Sequence, residues 1–305
     1  MERIKAIIPA AGLGSRFLPY TKAVPKEMLP LLNKPAIQYI VEEGISSDIH
    51  DFIIVTSREK QAIVNHFDPS VELELLLQER GKLDLLDTLK KITRVAHFTY
   101  VRQSEPRGLG HAVWTARRSF GKEYFGIFLP DDIIISKQAA MAQLMKVARQ
   151  EKASVIAVQE VPMGQVSSYG IIGIKKQITP NLFQVSNLVE KPDQKNAPSN
   201  LAVIGRYVLS SKIFAALEEI EADHNEELQL TDAICQMIHN NEKVFAVKVQ
   251  GIRYDIGNPI GWIKANIGCA LQDPQMAPHI NKFLQDKDLL DTFLYSPSKI
   301  FENQL

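Results

Sequence analysis

The first 30 residues constrain the fold more than any other part of this 305-residue chain. Residues 4–8 form an apolar run that is too short for a helix and predicts a buried parallel strand. Ala10, Ala11, Gly12 and Gly14 follow, and such small residues allow the backbone to approach a ligand closely. Backbone N–H groups exposed in a turn of this kind form an anion-binding concavity. The chain is therefore predicted to begin with a strand and an anion-binding turn.

A rigid basic loop follows this turn. Arg16, Lys22 and Lys26 place three cations in one short segment, which three prolines between residues 19 and 30 stiffen. An ordinary turn with solvated lysines is the simpler interpretation, but this composition suits it poorly. The loop predicts a site for a polyanion, and a nucleoside triphosphate is the polyanion that we expect.

Two familiar nucleotide-binding patterns do not match this segment. A dinucleotide-binding fold requires G-x-G-x-x-G at the start of a helix, but Phe17 occupies the third glycine position and Pro19 follows. A P-loop requires G-x-x-x-x-G-K-[ST], whereas Ser15 and Arg16 follow Gly14. The glycine turn therefore belongs to a different class of nucleotide site.

The composition of the chain limits its partners. The 35 basic and 35 acidic side chains give a net charge of +0, which argues against nucleic acid and against an anionic membrane surface. No apolar run approaches the roughly 18 residues of a membrane span, and Met1 leads directly into a strand without a signal peptide. Cys235 and Cys269 form no C-x-x-C pair and predict free thiols in a reducing compartment. We expect a cytoplasmic protein.

Apolar runs and helical periodicity alternate as far as residue 161, which favours a parallel sheet with helices on both faces. The predicted strands are 4–8, 52–55, 98–101, 125–129 and 155–161, and the predicted helices are 35–46, 58–67, 71–92 with an interruption at Gly81, 112–120 and 137–152.

The pattern changes after Pro162. Short strands at 168–173 and 183–190 predict a small β extension, followed by strands at 200–209 and 244–249 and helices at 211–220 and 259–271. Another helix begins within 227–234, where Thr231 is a plausible N-cap. The predicted fold class is α/β, with a Rossmann-like, mostly parallel but mixed sheet flanked by helices. Residues 1–272 form one domain, and 273–305 form a helical tail that is a candidate oligomer contact.

Polar residues follow two of the predicted strands. Gln103 precedes a glycine loop that contains Gly108, and its amide offers both a donor and an acceptor to a nucleobase edge. Asp131 and Asp132 follow strand 125–129, where α/β sheets bind ligands. Mg²⁺ is bound by carboxylates together with substrate phosphates. Ordinary turns or helix caps remain the alternatives at both places.

Several of these strings resemble one family. G-x-G-x-R followed by P-K, in 12–16 and 25–26, resembles the signature of the sugar-phosphate nucleotidylyltransferases. T-K-A-V-P-K-E-M-L-P, in 21–30, is similar to the bacterial UTP–glucose-1-phosphate uridylyltransferases within that family. The resemblance continues in Q-x-x-x-x-G-L-G-H-A (103–112) and V-E-K-P (189–192). Tyr20 departs from it, since the family usually has a small residue there.

The resemblance implies UTP and glucose 1-phosphate as substrates, Mg²⁺ as cofactor, and a homo-oligomer, dimer or tetramer. It implies a nucleotide-binding part at about 1–160 and a sugar-phosphate-binding part at about 161–258. The implied nucleotide-binding residues are Ala11, Gly12, Gly14, Arg16, Lys26, Gln103 and Gly108; the sugar-phosphate-binding residues are Gly170, Glu190 and Lys191; the metal ligands are Asp131 and Asp255; and the catalytic residues are Arg16, Lys26, Asp131 and Lys191.

Two other function classes remain open at the level of sequence. A non-catalytic nucleotide-sugar sensor on the same fold would be marked by loss of the implied catalytic residues, all of which are present. An NAD-dependent oxidoreductase would need the missing third glycine and a helix that starts at the turn. For Asp255 the alternative to metal binding is a structural role, because aspartate is common in D-x-G turns.

Overall fold

The computed structural model describes residues 4–220 and 227–286. Its strands are β1 Ala6–Pro9, β2 Pro30–Leu31, β3 Lys34–Pro35, β4 Asp51–Thr56, β5 His97–Arg102, β6 Tyr124–Phe128, β7 Asp132–Ile135, β8 Ser154–Glu160, β9 Gly170–Thr179, β10 Leu182–Glu190, β11 Leu201–Ser210, β12 Val244–Lys248 and β13 Ile252–Asp255. Its α-helices are α1 Ala36–Ile45, α2 Gln61–Phe67, α3 Val71–Glu79, α4 Leu83–Arg94, α5 Gly108–Thr115, α6 Ala140–Glu151, α7 Lys212–Glu219, α8 Leu230–His239, α9 Pro259–Gln272 and α10 Ala277–Gln285.

A central mixed sheet with flanking helices confirms the predicted α/β class. Nine strands lie in the order β5-β4-β1-β6-β11-β8-β12-β10-β9. The first four are parallel neighbours. β11 is antiparallel to both β6 and β8, and β10 is antiparallel to β9 and β12. The β9–β10 hairpin agrees with the predicted β extension, and the sheet is less parallel than predicted because β11 runs antiparallel between β6 and β8.

The sheet is buried on both faces. In β1, Ala6 and Ile8 belong to one apolar core, while Ile7 belongs to the other. Helices α1 and α6 cover the first face, and α5, α7 and α8 cover the second. β11 is buried along almost its whole length and lies at the centre of the sheet. Each fully buried aliphatic side chain stabilises the fold by about 1.5–3 kcal/mol, so these cores hold the strand ends rigidly.

Helix and strand boundaries differ from the predictions mostly by a few residues. The interruption predicted at Gly81 is confirmed, since α3 ends at Glu79 and α4 begins at Leu83. The helix predicted at 112–120 instead begins at Gly108 and ends at Thr115, with a 3-10 turn after it. Its early start has a tertiary cause, because the Gly110 N–H donates to the Leu228 carbonyl at 2.8 Å.

Two further features were not predicted correctly. β7 and β13 form a separate antiparallel pair that places Asp132 opposite Asp255. The helix predicted near residue 227 begins at Leu230, and Thr231 lies inside its first turn. The prediction that Thr231 caps this helix is therefore wrong, because its hydroxyl donates to Glu190 instead.

The C-terminal tail is described only as far as residue 286, where α10 continues the helical region. The remainder of the predicted tail, 287–305, lies outside the described residues. Across the described ranges, no helix has both the length and the apolar character needed to cross a membrane.

Candidate active site

The loop after β1 has the conformation that an anion-binding turn requires. Gly14 lies in the left-handed region (φ +69°), where a Cβ would also stand 3.2 Å from the Thr21 methyl group. The Thr21 hydroxyl donates to the Gly14 carbonyl at 2.9 Å and closes the loop. The N–H groups of Gly12, Leu13 and Gly14 donate no hydrogen bond to any acceptor among the described residues. These three donors are available to a ligand.

No α-helix follows this loop. Residues Ser15–Phe17 form a single 3-10 turn. A dinucleotide-binding fold needs a helix at this point, so the structure weakens the oxidoreductase alternative. A Cβ on Gly12 would meet no atom within 4 Å, because the space above that glycine opens into a pocket.

The pocket has a volume of about 460 Å³ and lies between the glycine loop and the residues that follow β5 and β6. Six of the seven predicted nucleotide-binding residues line it: Ala11, Gly12, Gly14, Lys26, Gln103 and Gly108. The seventh, Arg16, does not. Asp131 lines the pocket as well, and so does Glu27, a residue that the sequence reasoning missed.

Lys26 and Asp131 form an ion pair inside this pocket, with Nζ 2.7 Å from Oδ2. Burial alone would raise the pKa of Asp131, but the charge and hydrogen bond of Lys26 outweigh burial and lower it. Burial likewise opposes the charge on Lys26, yet Asp131 and Glu27 raise its pKa above the usual value. Both groups are therefore ionised at neutral pH.

The Gln103 side chain is buried and held in one orientation. Its amide nitrogen donates to the Gly108 carbonyl at 3.3 Å and lies 2.9 Å from Nδ1 of His111. Burial, with the charge of Arg107, lowers the pKa of His111, so a neutral imidazole accepts this hydrogen bond. Because a carbonyl can only accept, the amide NH₂ must face Gly108. Oε1, for which the described residues provide no donor, is thus the atom that Gln103 offers to a ligand.

A second, smaller pocket of about 210 Å³ lies on the other side of Asp131. Arg16, Asp131, Gly170, Glu190, Thr231 and Asp255 are among the residues that line it. Gly170 and Glu190 are two of the three predicted sugar-phosphate residues. Lys191 does not line the pocket, since its side chain is 59% exposed and its Nζ lies 3.4 Å from Oε1 of Glu190.

Thr231 fixes the position of Glu190. Its hydroxyl donates to Oε2 of Glu190 at 3.1 Å. A Cβ on Gly170 would lie 2.9 Å from the Thr231 methyl and 3.1 Å from the same Glu190 oxygen, so only glycine fits between them. In the sequence Thr231 shows no sign of this role, because a Thr-Asp pair at a helix start is typical of a cap.

Asp131 and Asp255 face one small space. A Cβ added to Gly257 would lie 3.0 Å from Oδ1 of Asp255, 3.2 Å from Oδ2 of Asp131 and 3.5 Å from Nη1 of Arg16. In this structure the Asp131 oxygen pairs with Lys26 and the Asp255 oxygen accepts from the Gly257 N–H. Two neighbouring carboxylates are a donor set that suits a divalent cation whose other ligands come from substrate phosphates and water. Among the described residues there is no cluster of three or more acidic, histidine or cysteine side chains, which a cage built only from protein would need.

A buried arginine supports the loop that carries Asp131. Arg206 has no exposed surface and pairs with Glu43, with Nη2 2.6 Å from Oε2. It also donates to the carbonyls of Leu129 and Asp132 at 3.3 and 2.8 Å. Removing one partner of such a buried pair costs about 3–5 kcal/mol. Arg206 therefore holds the loop between β6 and β7 in place.

Asp132 lines the second pocket but not the first. It accepts hydrogen bonds from the Gly205 N–H and from Nε of Arg253, both at 2.7 Å. Burial raises the pKa of Asp132, against the opposing charge of Arg253. Arg253, which the sequence reasoning missed, lines the second pocket.

The comparisons with known proteins agree with this geometry. The family model described as "Nucleotidyl transferase" matches residues 5–270. The chain belongs to the nucleotidyl transferase family. A family member from Staphylococcus epidermidis named UTP–glucose-1-phosphate uridylyltransferase is 48% identical over 290 residues, which cover 95% of this chain and 100% of that protein.

Solved nucleotidyl transferase structures resemble this one throughout. A UDP-glucose pyrophosphorylase complexed with UDP-glucose is 37% identical, with a TM-score of 0.80, and the likeness covers 89% of this chain and 100% of that one. A UTP-bound UGPase from Acinetobacter baumannii is 36% identical, with a TM-score of 0.86, over 93% of this chain and 99% of that one.

Proposed function

We propose that this nucleotidyl transferase is a UTP–glucose-1-phosphate uridylyltransferase, which converts UTP and glucose 1-phosphate into UDP-glucose and pyrophosphate. The observation that carries the proposal is a pair of adjoining pockets that share Asp131. One pocket holds the free N–H groups of the glycine loop and the oriented amide of Gln103, and the other holds the carboxylate of Glu190. The names of the relatives support the same substrates.

The reaction needs no general base. The second pKa of a phosphate monoester is about 6, so glucose 1-phosphate is largely a dianion at pH 7. One of its phosphate oxygens attacks the α-phosphorus of UTP and forms a new P–O bond. The bond from the α-phosphorus to the bridging oxygen breaks, and its electron pair leaves on pyrophosphate. The protein must chiefly align two anions and stabilise their charge.

We assign this work to charged residues around Asp131. Lys26 and Arg16 would hold the departing pyrophosphate, together with the glycine-loop N–H groups. Lys191 would turn from the exposed position beside Glu190 to bind and aim the attacking phosphate, and Glu190 would accept hydrogen bonds from sugar hydroxyls. Asp131 and Asp255 would hold Mg²⁺. The metal ion, when bound, supplies positive charge that offsets the negative charge of the phosphates.

The proposed division into a nucleotide part at about 1–160 and a sugar-phosphate part at about 161–258 is supported by the pocket walls. Apart from Glu227, the residues that line the larger pocket come from the first part. Most residues that line the smaller pocket come from the second part, and Arg16 and Asp131 join the two. The predicted tail, 273–305, follows these two parts, and its portion beyond residue 286 lies outside the described residues.

A homo-oligomer, dimer or tetramer, completes the proposal. Helix α3 buries none of its residues, and apolar side chains are exposed on α3 and α4, among them Leu75 (55%) and Leu83 (62%). Neighbouring exposed apolar residues are typical of interaction surfaces. Light scattering would contradict self-association if it gave the mass of one chain at micromolar concentration. The cytoplasmic location remains a prediction, supported by the two free cysteines.

A single assay tests the activity. Purified protein with Mg²⁺, UTP and glucose 1-phosphate should release pyrophosphate and form UDP-glucose in equal amounts. Asp131→Asn keeps the shape of the side chain but loses the charge that binds metal, and we expect kcat to fall at least 100-fold with the fold retained. Wild-type kcat in this variant would remove Asp131 from the site. Pyrophosphate without UDP-glucose would contradict the proposed transfer.

A further inference from the structure

A separate cleft of about 330 Å³ lies beside the nucleotide pocket, where β4 and β5 end. These two strands are parallel neighbours, and their last residues, Thr56 and Arg102, are in register. The carboxyl ends of parallel strands are where α/β sheets bind ligands. Arginine, lysine and hydroxyl side chains dominate its wall: Thr56, Ser57, Arg58, Lys60, Tyr100 and Arg102.

The cleft is positively charged. Arg58 and Arg102 are exposed, and within the described part of the chain neither makes an ion pair or a side-chain hydrogen bond. Lys60 also lines the cleft, where its ammonium is paired with Glu27, and the lining itself contains no carboxylate. Two guanidinium groups without partners can bind a phosphate in the forked geometry that arginine favours.

The wall of the cleft also contains a buried polar atom without a partner. The Tyr100 hydroxyl has no hydrogen bond among the described residues and is shielded from bulk solvent. Burial, with a contribution from the Asp68 carboxylate, raises the pKa of Tyr100 to about 12, so the hydroxyl keeps its proton. Buried hydroxyl groups are normally hydrogen-bonded. The Tyr100 hydroxyl is enclosed by protein and does not reach the open space of the cleft, so it offers the cleft no donor in this structure.

We propose that this cleft binds a phosphate group, either as inorganic phosphate or as the phosphate monoester of a small metabolite. Arg58 and Arg102, which are both exposed, would provide the charge and the forked hydrogen-bond donors. The hydroxyls of Thr56 and Ser57 offer further donors in the same cleft.

The cleft is joined to the nucleotide pocket by one buried ion pair. Lys60 lines the cleft, Glu27 lines the nucleotide pocket, and the Lys60 Nζ lies 2.6 Å from Oε2 of Glu27. Both side chains are almost fully buried, and the second Glu27 oxygen has no hydrogen-bond partner among the described residues. A phosphate beside Lys60 competes with Glu27 for its charge and so changes the wall of the nucleotide pocket. Phosphate and nucleotide therefore alter each other's affinity reciprocally.

Titration calorimetry with inorganic phosphate tests the binding site. We expect the double variant Arg58→Gln/Arg102→Gln to bind phosphate at least tenfold more weakly than wild type. Arg118→Gln/Lys122→Gln is the matched control, because it removes two exposed cations near the amino end of β6. Equal affinity in wild type and the Arg58/Arg102 variant would overturn the proposal. A parallel titration with glycerol 3-phosphate distinguishes the sources, since tighter binding of the ester favours a metabolite.

The coupling has its own readout. In wild type, 10 mM phosphate should change the Kd for UTP at least twofold (about 0.4 kcal/mol), and in the Arg58/Arg102 variant it should not. Phosphate binding without this change would overturn the coupling. The coupling rests on the proposed function only in taking UTP as the nucleotide. If phosphate binding depends on the two arginines but UTP does not bind at all, the proposed function fails and the phosphate site stands.

Discussion

At the scale of single residues, the orientation of the Gln103 amide determines which of its groups can contact a nucleobase. The sequence indicated that Gln103 could present a donor and an acceptor to a base. The structure shows that Gly108 and His111 occupy the donor, which leaves a lone acceptor. Uracil presents its N3–H to such an atom, whereas cytosine has an unprotonated N3 there.

We therefore expect UTP to be preferred clearly over dTTP and much more strongly over CTP. A mismatched buried polar group costs about 1–3 kcal/mol, so kcat/KM for CTP should be at least tenfold below that for UTP. The extra methyl group of thymine can change the preference between UTP and dTTP by at most about 1–3 kcal/mol. Gln103→Leu should lose most of the UTP–CTP difference. Equal kcat/KM values for UTP and CTP in wild type would show that Gln103 does not read the base, and a higher value for dTTP would make the enzyme a thymidylyltransferase.

The Lys26–Asp131 pair should also make stability depend on pH. The folded pKa of Asp131 lies below its ordinary value of 3.8. The stabilisation is therefore fully present above that ordinary value and is lost as the pH falls through the lowered folded pKa. Urea unfolding of wild type and Asp131→Asn should show the wild type losing stability relative to the variant between pH 6 and pH 2.5. A difference in unfolding free energy that stays constant over this range would rule out the pair as its source.

At the scale of elements, the segment before α8 does more than start a helix. Leu228 accepts a hydrogen bond from the Gly110 N–H and donates one to the Arg107 carbonyl. A Cβ on Gly108 would lie 2.9 Å from the Leu228 oxygen, so this glycine is needed for the close approach of two backbone segments. The same segment then delivers Thr231 to Glu190. One stretch of chain thus contacts both pockets.

Thr231 is consequently a positioning residue for sugar-phosphate binding. Thr231→Val removes the hydroxyl at constant shape, and we expect KM for glucose 1-phosphate to rise three- to tenfold while KM for UTP stays within twofold. Thr231→Ser should restore most of the loss, because serine keeps the hydroxyl. Equal increases in both KM values, or no rescue by serine, would indicate a general packing defect.

The elements also show which parts of the site sequence can predict. The glycine turn, Gln103 and Asp131 were predictable because each follows a strand in an unbroken local motif. Thr231, Arg206 and Arg253 were not, because their roles depend on partners distant in the chain. Arg206 binds Glu43 across 163 residues, and Thr231 binds Glu190 across 41. A threonine that caps a helix and a threonine that donates to a distant side chain look the same in sequence, so only the fold distinguishes the two roles.

At the scale of the whole molecule, the sheet order explains the paired pockets. Strands β5, β4, β1 and β6 are parallel, as periodicity predicted, and β5, β1 and β6 end beside the larger pocket. Antiparallel β11 then joins them to the β9–β10 hairpin beside the smaller pocket. The strands were predictable from apolar runs, but the antiparallel direction of β11 was not, because a buried run looks alike in parallel and antiparallel neighbours. The central claim is that this arrangement brings a sugar phosphate in line with the α-phosphorus of UTP.

Isotope tracing tests this claim most directly. Glucose 1-phosphate would carry ¹⁸O in the bridge between C1 and phosphorus, and the products formed with UTP and Mg²⁺ would be followed by ³¹P NMR. If the sugar phosphate attacks phosphorus, the C1–O bond stays intact and all of the ¹⁸O is found in UDP-glucose, between C1 and the β-phosphorus. Label in free phosphate, or no labelled UDP-glucose at all, would contradict the proposed reaction.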